Sequence, residues 1–444
     1  MSVIKKLPPA KAAGNSSTPD HGQLASYLTH GADLVYTSKA FWQYDDERGI
    51  WESVPDELMT RKAERVCREA GAEVTANRIS GVLKLATGQA FRAIQWDQSG
   101  SKDVCASNGV LHYAGGGKWE VRPYKRDDYR RVQLPVVYDP KAKCPRFMQY
   151  LKEVFAGVDD AQDRIRALVE FMGLSLTTTT EYERALLLLG RGGNGKSKAL
   201  NLVQAMVGTD YRAAVELSQL DHKFQQSHLD GKLINVMSET STDGAMPDAT
   251  IKKIISGETL TAERKFKDAF DFRPTCKLWL ATNHLPSTKD FSDGLFRRFT
   301  ILQFPNRFDD RPDVDTELDA KLKAEASGVL NFCLDALASV YERRGLTTPA
   351  SSIEIAKSWR LSSDQVAQFL DEAVVLEASA ITASSEVYRL YTEWAGQAGI
   401  RHTLNRKNFT LRMEEKGIER GVVRNVRCLY GIRERLVSDT EDAK

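Results

Sequence analysis

Residues Gly190–Ser197 read GRGGNGKS, preceded by the apolar run Ala185-Leu186-Leu187-Leu188-Leu189 and followed by a helical stretch from Lys198 to Val207. An unbroken apolar strand has no solvent face, so it must be covered on both sides, as in a parallel sheet sandwiched between helices. The glycines of the loop leave backbone N–H groups free to curl around a multiply charged anion. In the GxxxxGKS spacing, Lys196 supplies positive charge for the outer phosphates of a nucleoside triphosphate and Ser197 a hydroxyl for Mg2+. Gly190, Gly192, Gly193, Asn194, Gly195, Lys196 and Ser197 are thus the candidate ATP-binding residues, with ATP and Mg2+ as the implied cofactors. A flexible turn containing Lys-Ser by chance would not explain the strand before it and the helix after it.

Downstream, two apolar runs end in polar groups. Lys232-Leu233-Ile234-Asn235-Val236-Met237-Ser238 leads into Glu239, placed where a motor needs an acid to orient water and help Ser197 hold the metal. Lys277 to Thr282 leads into Asn283, whose amide can hydrogen-bond the attacking water or the terminal phosphate. Arg297 and Arg298 follow, just before the strand-like Phe299–Phe304. A guanidinium set against developing phosphate charge accelerates phosphoryl transfer, and in ring motors it can come from the neighbouring subunit. Arg298 is favoured for that role over Arg297. Taken singly, each residue has a plainer explanation: a solvated strand end for Glu239, an Asx turn for Asn283, surface charge or DNA contacts for the arginines.

In this order, with Ser256–Lys267 between the second and third elements and Gly294–Phe299 after them, the motifs resemble those of superfamily 3 helicases. The similarity is greatest to the helicase half of phage, plasmid and poxvirus primase-helicases. It extends upstream to Ala106–Leu111 and Tyr138-Asp139-Pro140. The resemblance implies an AAA+-type P-loop core assembled as a hexameric ring around DNA, usually tracking 3′ to 5′. It also implies a hairpin carrying a lysine into the channel, and Lys265 is the matching position. Arg264, Lys265 and Lys267 offer phosphate partners and Phe266 an apolar or stacking tip, so Lys265, Phe266 and Lys267 are the DNA-binding candidates. A solvated basic hairpin is the plainer alternative. Where many relatives carry two acids this chain has Ser238-Glu239, which leaves the part played by Ser238 open. The text before the motor is short for a complete primase and offers no carboxylate set for polymerisation. Asp45-Asp46 reads as a solvated turn.

The remaining expectations concern organisation. A length of 444 residues predicts several domains: a disordered tail over 1–25, an α+β accessory domain over 26–140, a helical collar over 141–180, the α/β core over 181–346, a winged-helix-like DNA-binding module over 350–436 and a tail over 437–444. In the accessory domain Trp42, Tyr44, Trp51, Trp96 and Trp119 are more simply buried strand residues than platforms for bases. Helices are expected on either side of Gly157–Asp160, over Ile353–Glu377 and over Val387–Trp394. Arg401–Leu436 holds ten Lys or Arg against four acids, although the whole chain carries a net charge of only +2. A helix followed by two strand-like runs there suggests a small winged-helix module that could meet duplex phosphates without reading sequence, with a basic surface that has no ligand as the alternative. Scattered cysteines with no CxxC pair predict neither zinc nor disulfides. With neither a secretion signal nor an apolar span, the expected setting is cytoplasmic, in a bacterial host if phage- or plasmid-encoded.

Two functions fit. One is a ring-forming ATP-dependent helicase, acting on single-stranded or forked DNA and working with copies of itself and with a primase, polymerase or initiator. The other is an ATP-regulated initiator that binds an origin and unwinds little. A P-loop ATPase acting on protein partners, or a small-molecule kinase, would have less use for both Asn283 and the arginine pair.

Overall fold

The structure is a computed structural model that describes residues 18–30, 33–97, 101–238, 246–265, 268–288, 290, 292–309, 314–400 and 403–436. The chain opens with helix α1 (His21–Thr29), strands β1 (Leu34–Thr37), β2 (Ala40–Asp45) and β3 (Ile50–Val54), and helices α2 (Asp56–Glu69) and α3 (Ala76–Ala90). The tail expected to reach residue 25 therefore stops short. Asp20 and Gln23 form a reciprocal capping box that starts α1, and Leu24 and Ala25 are buried. The three helices pack around their own core against the antiparallel β1-β2-β3 sheet. Trp42, Tyr44, Trp51 and Trp96 form a second buried cluster, so these rings are packing residues.

Strands β4 (Val104–Ala106), β5 (Gly109–Gly115) and β6 (Lys118–Arg122) form an antiparallel sheet whose buried residues belong to a different core. Val104, Val110, Leu111 and Leu134 join the cluster that covers one face of the central sheet, alongside helices α4 (Pro145–Val154) and α5 (Ala161–Leu174). The accessory stretch is thus divided by its packing, and the two helices expected as a collar pack into the core of the central sheet. The indole N–H of Trp119 donates to the Leu334 carbonyl at 3.1 Å, tying β6 to the part of the chain that follows the central sheet.

The central sheet comprises β7 (Ala185–Leu189), β8 (Arg212–Ala213), β9 (Ile234–Ser238), β12 (Lys277–Thr282) and β13 (Phe299–Gln303), all parallel, in the order β13-β7-β12-β9-β8. Between them lie α6 (Lys196–Val207), α7 (Lys223–Gln226), α8 (Asp248–Ser256), the hairpin strands β10 (Leu260–Ala262) and β11 (Phe270–Phe272), and α9 (Asp293–Phe296). Both faces of the sheet are covered, as the leucine run requires. Leu186 and Leu188 face one core, Ala185 and Leu187 the other.

Helices α10 (Leu318–Ala324) and α11 (Ala326–Arg343) complete the first core, and α12 (Ala350–Ser363) closes the second by burying Trp359 against Phe296 and Phe299. The C-terminal module proper follows: α13 (Gln365–Glu372), β14 (Val374–Ala383), α14 (Ser384–Gln397), α15 (Arg406–Glu415), β15 (Arg420–Val423) and β16 (Val426–Glu434), with an antiparallel sheet of order β14-β16-β15. The single helix expected over 353–377 is in fact two helices and the start of a strand. Asp364 caps α13 by accepting from the Val366 and Ala367 N–H groups at 3.2 and 3.1 Å, which stops α12 and restarts the chain in a new direction. From Val374 the chain pairs with β16.

Candidate nucleotide-binding site

Parallel sheets bind ligands beyond the C-terminal ends of their strands. Here β7 ends at Leu189 beside Thr282 of β12, so the glycine loop and Asn283 leave the sheet side by side. The Gly190 N–H donates to the Thr282 carbonyl at 3.2 Å, joining the two exits. Between them and α4 opens a cleft of about 650 Å³, lined by Gly192–Lys198, Ala281–Asn283, Arg146, Tyr150, Phe308, Asp309 and Asp315 among others.

Two glycines of the loop are required by their surroundings. Gly193 has φ +71°, and a Cβ there would overlap the Asp309 carboxylate. Gly195 has φ +91°, and a Cβ would meet Val154 at 2.8 Å. The loop is braced from outside by the Tyr150 hydroxyl, which donates to the Gly195 carbonyl at 3.0 Å, and by the Phe308 N–H, which donates to the Gly193 carbonyl at 2.8 Å. Asn194 is buried and its amide reaches the Phe304 carbonyl at 3.4 Å.

Lys196 is buried at the first position of α6 and donates to the Gly190 carbonyl and, at 3.2 Å, to Asn194 Oδ1. Both acceptors are neutral oxygens. Burial accordingly pushes the ammonium below the usual lysine value. A cation desolvated beside a glycine loop and held by neutral oxygens is suited to receive an anion. Ser197 and Asn283 are exposed on the cleft wall.

Other expected site residues lie elsewhere. Glu239 falls outside the described residues; the strand that precedes it, β9, ends with Ser238 opposite Ala281. Arg297 and Arg298 are not at the cleft. They precede β13, at the N-terminal edge of the sheet, where Phe299 pairs with Ala185 of β7. A five-residue strand separates this edge from the loop, about 15 Å at ~3.3 Å per residue. Arg298 is mostly buried and donates to the Gly294 carbonyl at 2.5 Å and to Glu183 at 2.7 Å, while Arg297 is exposed. Arg184 joins them: burial first, then the charges of Arg297 and Arg298, hold its guanidinium below the usual arginine value.

The hairpin expected around Lys265 is present, with Leu260 opposite Phe272 and Ala262 opposite Phe270. Lys265 is exposed in its turn; Phe266 and Lys267 lie outside the described residues. Arg264 is engaged by Asp230 at 3.3 Å and lies over the Phe270 ring at 4.5 Å.

Sequence reasoning missed the opposite wall of the cleft. Arg146 pairs with Glu153 at 3.2 Å and Asp315 at 3.5 Å, and Tyr150 lies one turn further along α4. The apolar spacing of α4 signals a helix, but nothing local marks which of its polar residues faces the loop. Asp309 and Asp315 sit in a stretch with no motif at all. Among the described residues there is no cluster of metal-ligating side chains and no helix long and apolar enough to cross a membrane.

An α/β chain with a parallel sheet and a glycine-loop cleft is the class that fold and site define. Similarity to known proteins narrows it. Three family descriptions match: "D5 N terminal like" over residues 24–156, a family of unknown function (DUF5906) over 188–298, and "Poxvirus D5 protein-like" over 361–423. "Putative helicase L207/L206" of Acanthamoeba polyphaga mimivirus is 24% identical over 232 residues, covering 47% of this chain and 24% of the viral protein. "Putative helicase 022R" of Frog virus 3 is 22% identical, covering 50% and 25%. "Putative primase C962R" of African swine fever virus is 23% identical, covering 47% and 24%. The chain therefore spans about a quarter of the length of the curated relatives it matches. Among solved structures, the apo NrS-1 C-terminal region aligns with a TM-score of 0.55 at 14% identity, covering 94% of this chain and 100% of that one; a second apo form gives 0.53 at 12%, with the same coverage. These two similarities describe the fold alone. With D5 descriptions matching both its N-terminal and C-terminal parts and viral helicase- and primase-named relatives across about half its length, the chain resembles the superfamily 3 primase-helicases of the D5 type.

Proposed function

We propose that this chain is an ATP-dependent, ring-forming DNA helicase of the superfamily 3, AAA+-like class, serving replication of a phage, plasmid or other mobile element. The observation that carries this reading is Lys196, a buried ammonium held by neutral oxygens at the mouth of a glycine-loop cleft. The polyphosphate of ATP would supply the missing counter-charge. The strand order supports the same reading, because it sets the strand carrying the loop directly beside the one that leads into Asn283.

In this account Lys196 and the N–H groups of Gly190–Ser197 hold the phosphates. Ser197 and Glu239 hold Mg2+, Glu239 orients the water, and Asn283 contacts the terminal phosphate or that water. Mg-ATP supplies the phosphoryl group and the metal charge. Arg298, at the far edge of its own sheet, serves the cleft of the adjacent subunit in a hexamer or similar ring, with Arg297 as its neighbour. Lys265, Phe266 and Lys267 present phosphate and stacking contacts to single-stranded or forked DNA. A primase, polymerase or initiator would act alongside.

A second reading draws on the C-terminal module. Helix α15 begins with exposed Arg406, Lys407 and Asn408, and the β15–β16 turn exposes Arg424 and Asn425, the two parts a winged-helix-like module sets against duplex DNA. An ATP-regulated initiator with little unwinding of its own would use that surface as its main function. The deciding experiment is strand separation of a forked duplex by the full chain with ATP and Mg2+. Unwinding that disappears in Lys196→Ala and Glu239→Gln supports the helicase. Either variant unwinding at the normal rate overturns it, and sequence-selective duplex binding without any unwinding favours the initiator.

A further inference from the structure

The β10–β11 hairpin has only three residues in each strand, too few for an isolated hairpin to hold its own orientation. Its base is anchored by apolar packing of Leu260, Ala262, Phe270 and Phe272. Nearer the turn its anchors are charged, and two of them lead to the N-terminal stretch whose purpose the nucleotide cleft leaves unexplained.

One is a chain of ion pairs. Arg131 donates to Asp97 through its backbone N–H and its Nε, both at 2.7 Å, and to Asp230 at 3.0 Å. Asp230 also accepts from Arg264 of the hairpin at 3.3 Å. Arg131 rests against the Trp42 and Trp96 rings, at 5.5 and 5.6 Å, so this chain starts in the tryptophan cluster of the accessory part. The other is a strap to the residues that follow the turn. In the tight β1–β2 turn, where Ser38 and Lys39 have φ of 50° and 59°, the Lys39 ammonium donates to Asp268 at 3.3 Å and to the Ala269 carbonyl at 3.0 Å. The motor itself adds Lys223 on Glu263 at 3.2 Å.

We infer that the accessory part is a positioning device for the hairpin: Arg131, through Asp230, and Lys39, through Asp268, fix where the Lys265 turn is presented. The inference rests on the proposed DNA contact by that turn and assigns Lys39 and Arg131 as positioning residues. Asp230 lies four residues before the start of β9, so the ion chain meets the N-terminal edge of the central sheet, the edge at which Arg298 precedes β13.

The exposed pair offers the cleaner test, because side-chain exposures of 54% and 86% let Lys39 and Asp268 be reversed without disturbing a core. Affinity of the full chain for a labelled thymidine oligonucleotide, and stimulation of ATP hydrolysis by it, are measured for Lys39→Asp, Asp268→Lys and the double reversal. Positioning predicts that each single reversal weakens binding about three- to tenfold with DNA-free hydrolysis unchanged, and that the double reversal restores it. The decisive variant is Asp268→Lys. A merely electrostatic surface would gain affinity from the added positive charge, and that result would overturn the inference. So would failure of the double reversal to rescue. Lys265→Ala separates the two levels: if it leaves DNA binding intact, the DNA-contact reading fails, whereas weakened binding in Lys265→Ala with none in Lys39→Asp removes only the positioning role.

Discussion

At the C-terminal edge of the central sheet, β7 and β12 release the chain into the glycine loop and Asn283, and the space toward α4 opens as the cleft. At the N-terminal edge the same strands begin from Arg184 and Lys277, Arg298 precedes β13, and Ala185, Lys277 and Phe299 are buried. The open edge holds one desolvated ammonium, Lys196; the other gathers Arg184, Arg297 and Arg298 around the start of β7 and β13. One chain therefore carries a phosphate-suited loop and an arginine group a strand's length apart. Such a pair can cooperate only if the loop of one copy meets the arginines of the next, which is what a heterologous ring interface provides.

The largest expected effect falls on the arginine edge. Replacing Arg298 with Ala lowers steady-state ATP hydrolysis by about 10³-fold while nucleotide binding, followed by fluorescence of a labelled analogue, survives. Binding lost together with hydrolysis would contradict a role confined to the neighbouring cleft. At the hairpin, Lys265→Ala reduces stimulation of hydrolysis by single-stranded DNA, with an expected loss of about tenfold in DNA affinity at low salt and a shallower salt dependence.

A third effect concerns pH. Lys277 is buried at the start of β12, donates to the Thr177 and Thr275 carbonyls at 2.6 and 2.9 Å, and is pushed down to about 7 by burial. Its folded value lies below an unfolded value of ~10.4, so the unfolded chain binds more protons between those limits. Stability should therefore rise with pH from about 7 toward 10 and fall as pH returns through the folded value. Thermal melts across that window should show a flatter slope in Lys277→Met; an unaltered slope would remove Lys277 as its source. The smallest effect belongs to the open edge. Tyr150→Phe deletes the hydrogen bond to the Gly195 carbonyl, worth about 1 kcal/mol, and should weaken nucleotide binding by about fivefold.

The open edge was the more legible in sequence. A glycine loop between a leucine run and a helix is a local pattern, and the strands ending near Ser238 and Asn283 are local too; the structure sets all three strands in one parallel sheet. The opposing wall was not legible, because Arg146, Tyr150, Asp309 and Asp315 reach the cleft only through packing of α4 and of the stretch after β13. The N-terminal edge was legible as residues but not as a place: adjacency in sequence marked Arg297 and Arg298, and only the parallel register reveals that they lie at the opposite end of the sheet from their own loop. Strand β14 was hidden because Val374-Val375-Leu376 continues an apolar helix pattern as readily as it begins a strand, and its partner β16 lies about fifty residues later.

The split between the two edges is tested most directly by mixing two inactive variants. Lys196→Ala retains its arginine edge and Arg298→Ala retains its loop. In rings assembled at equal ratio, about a quarter of the interfaces should pair an intact loop with an intact arginine. The account predicts that the mixture recovers ATP hydrolysis well above either variant alone. A mixture no more active than its components, although both assemble, would contradict it.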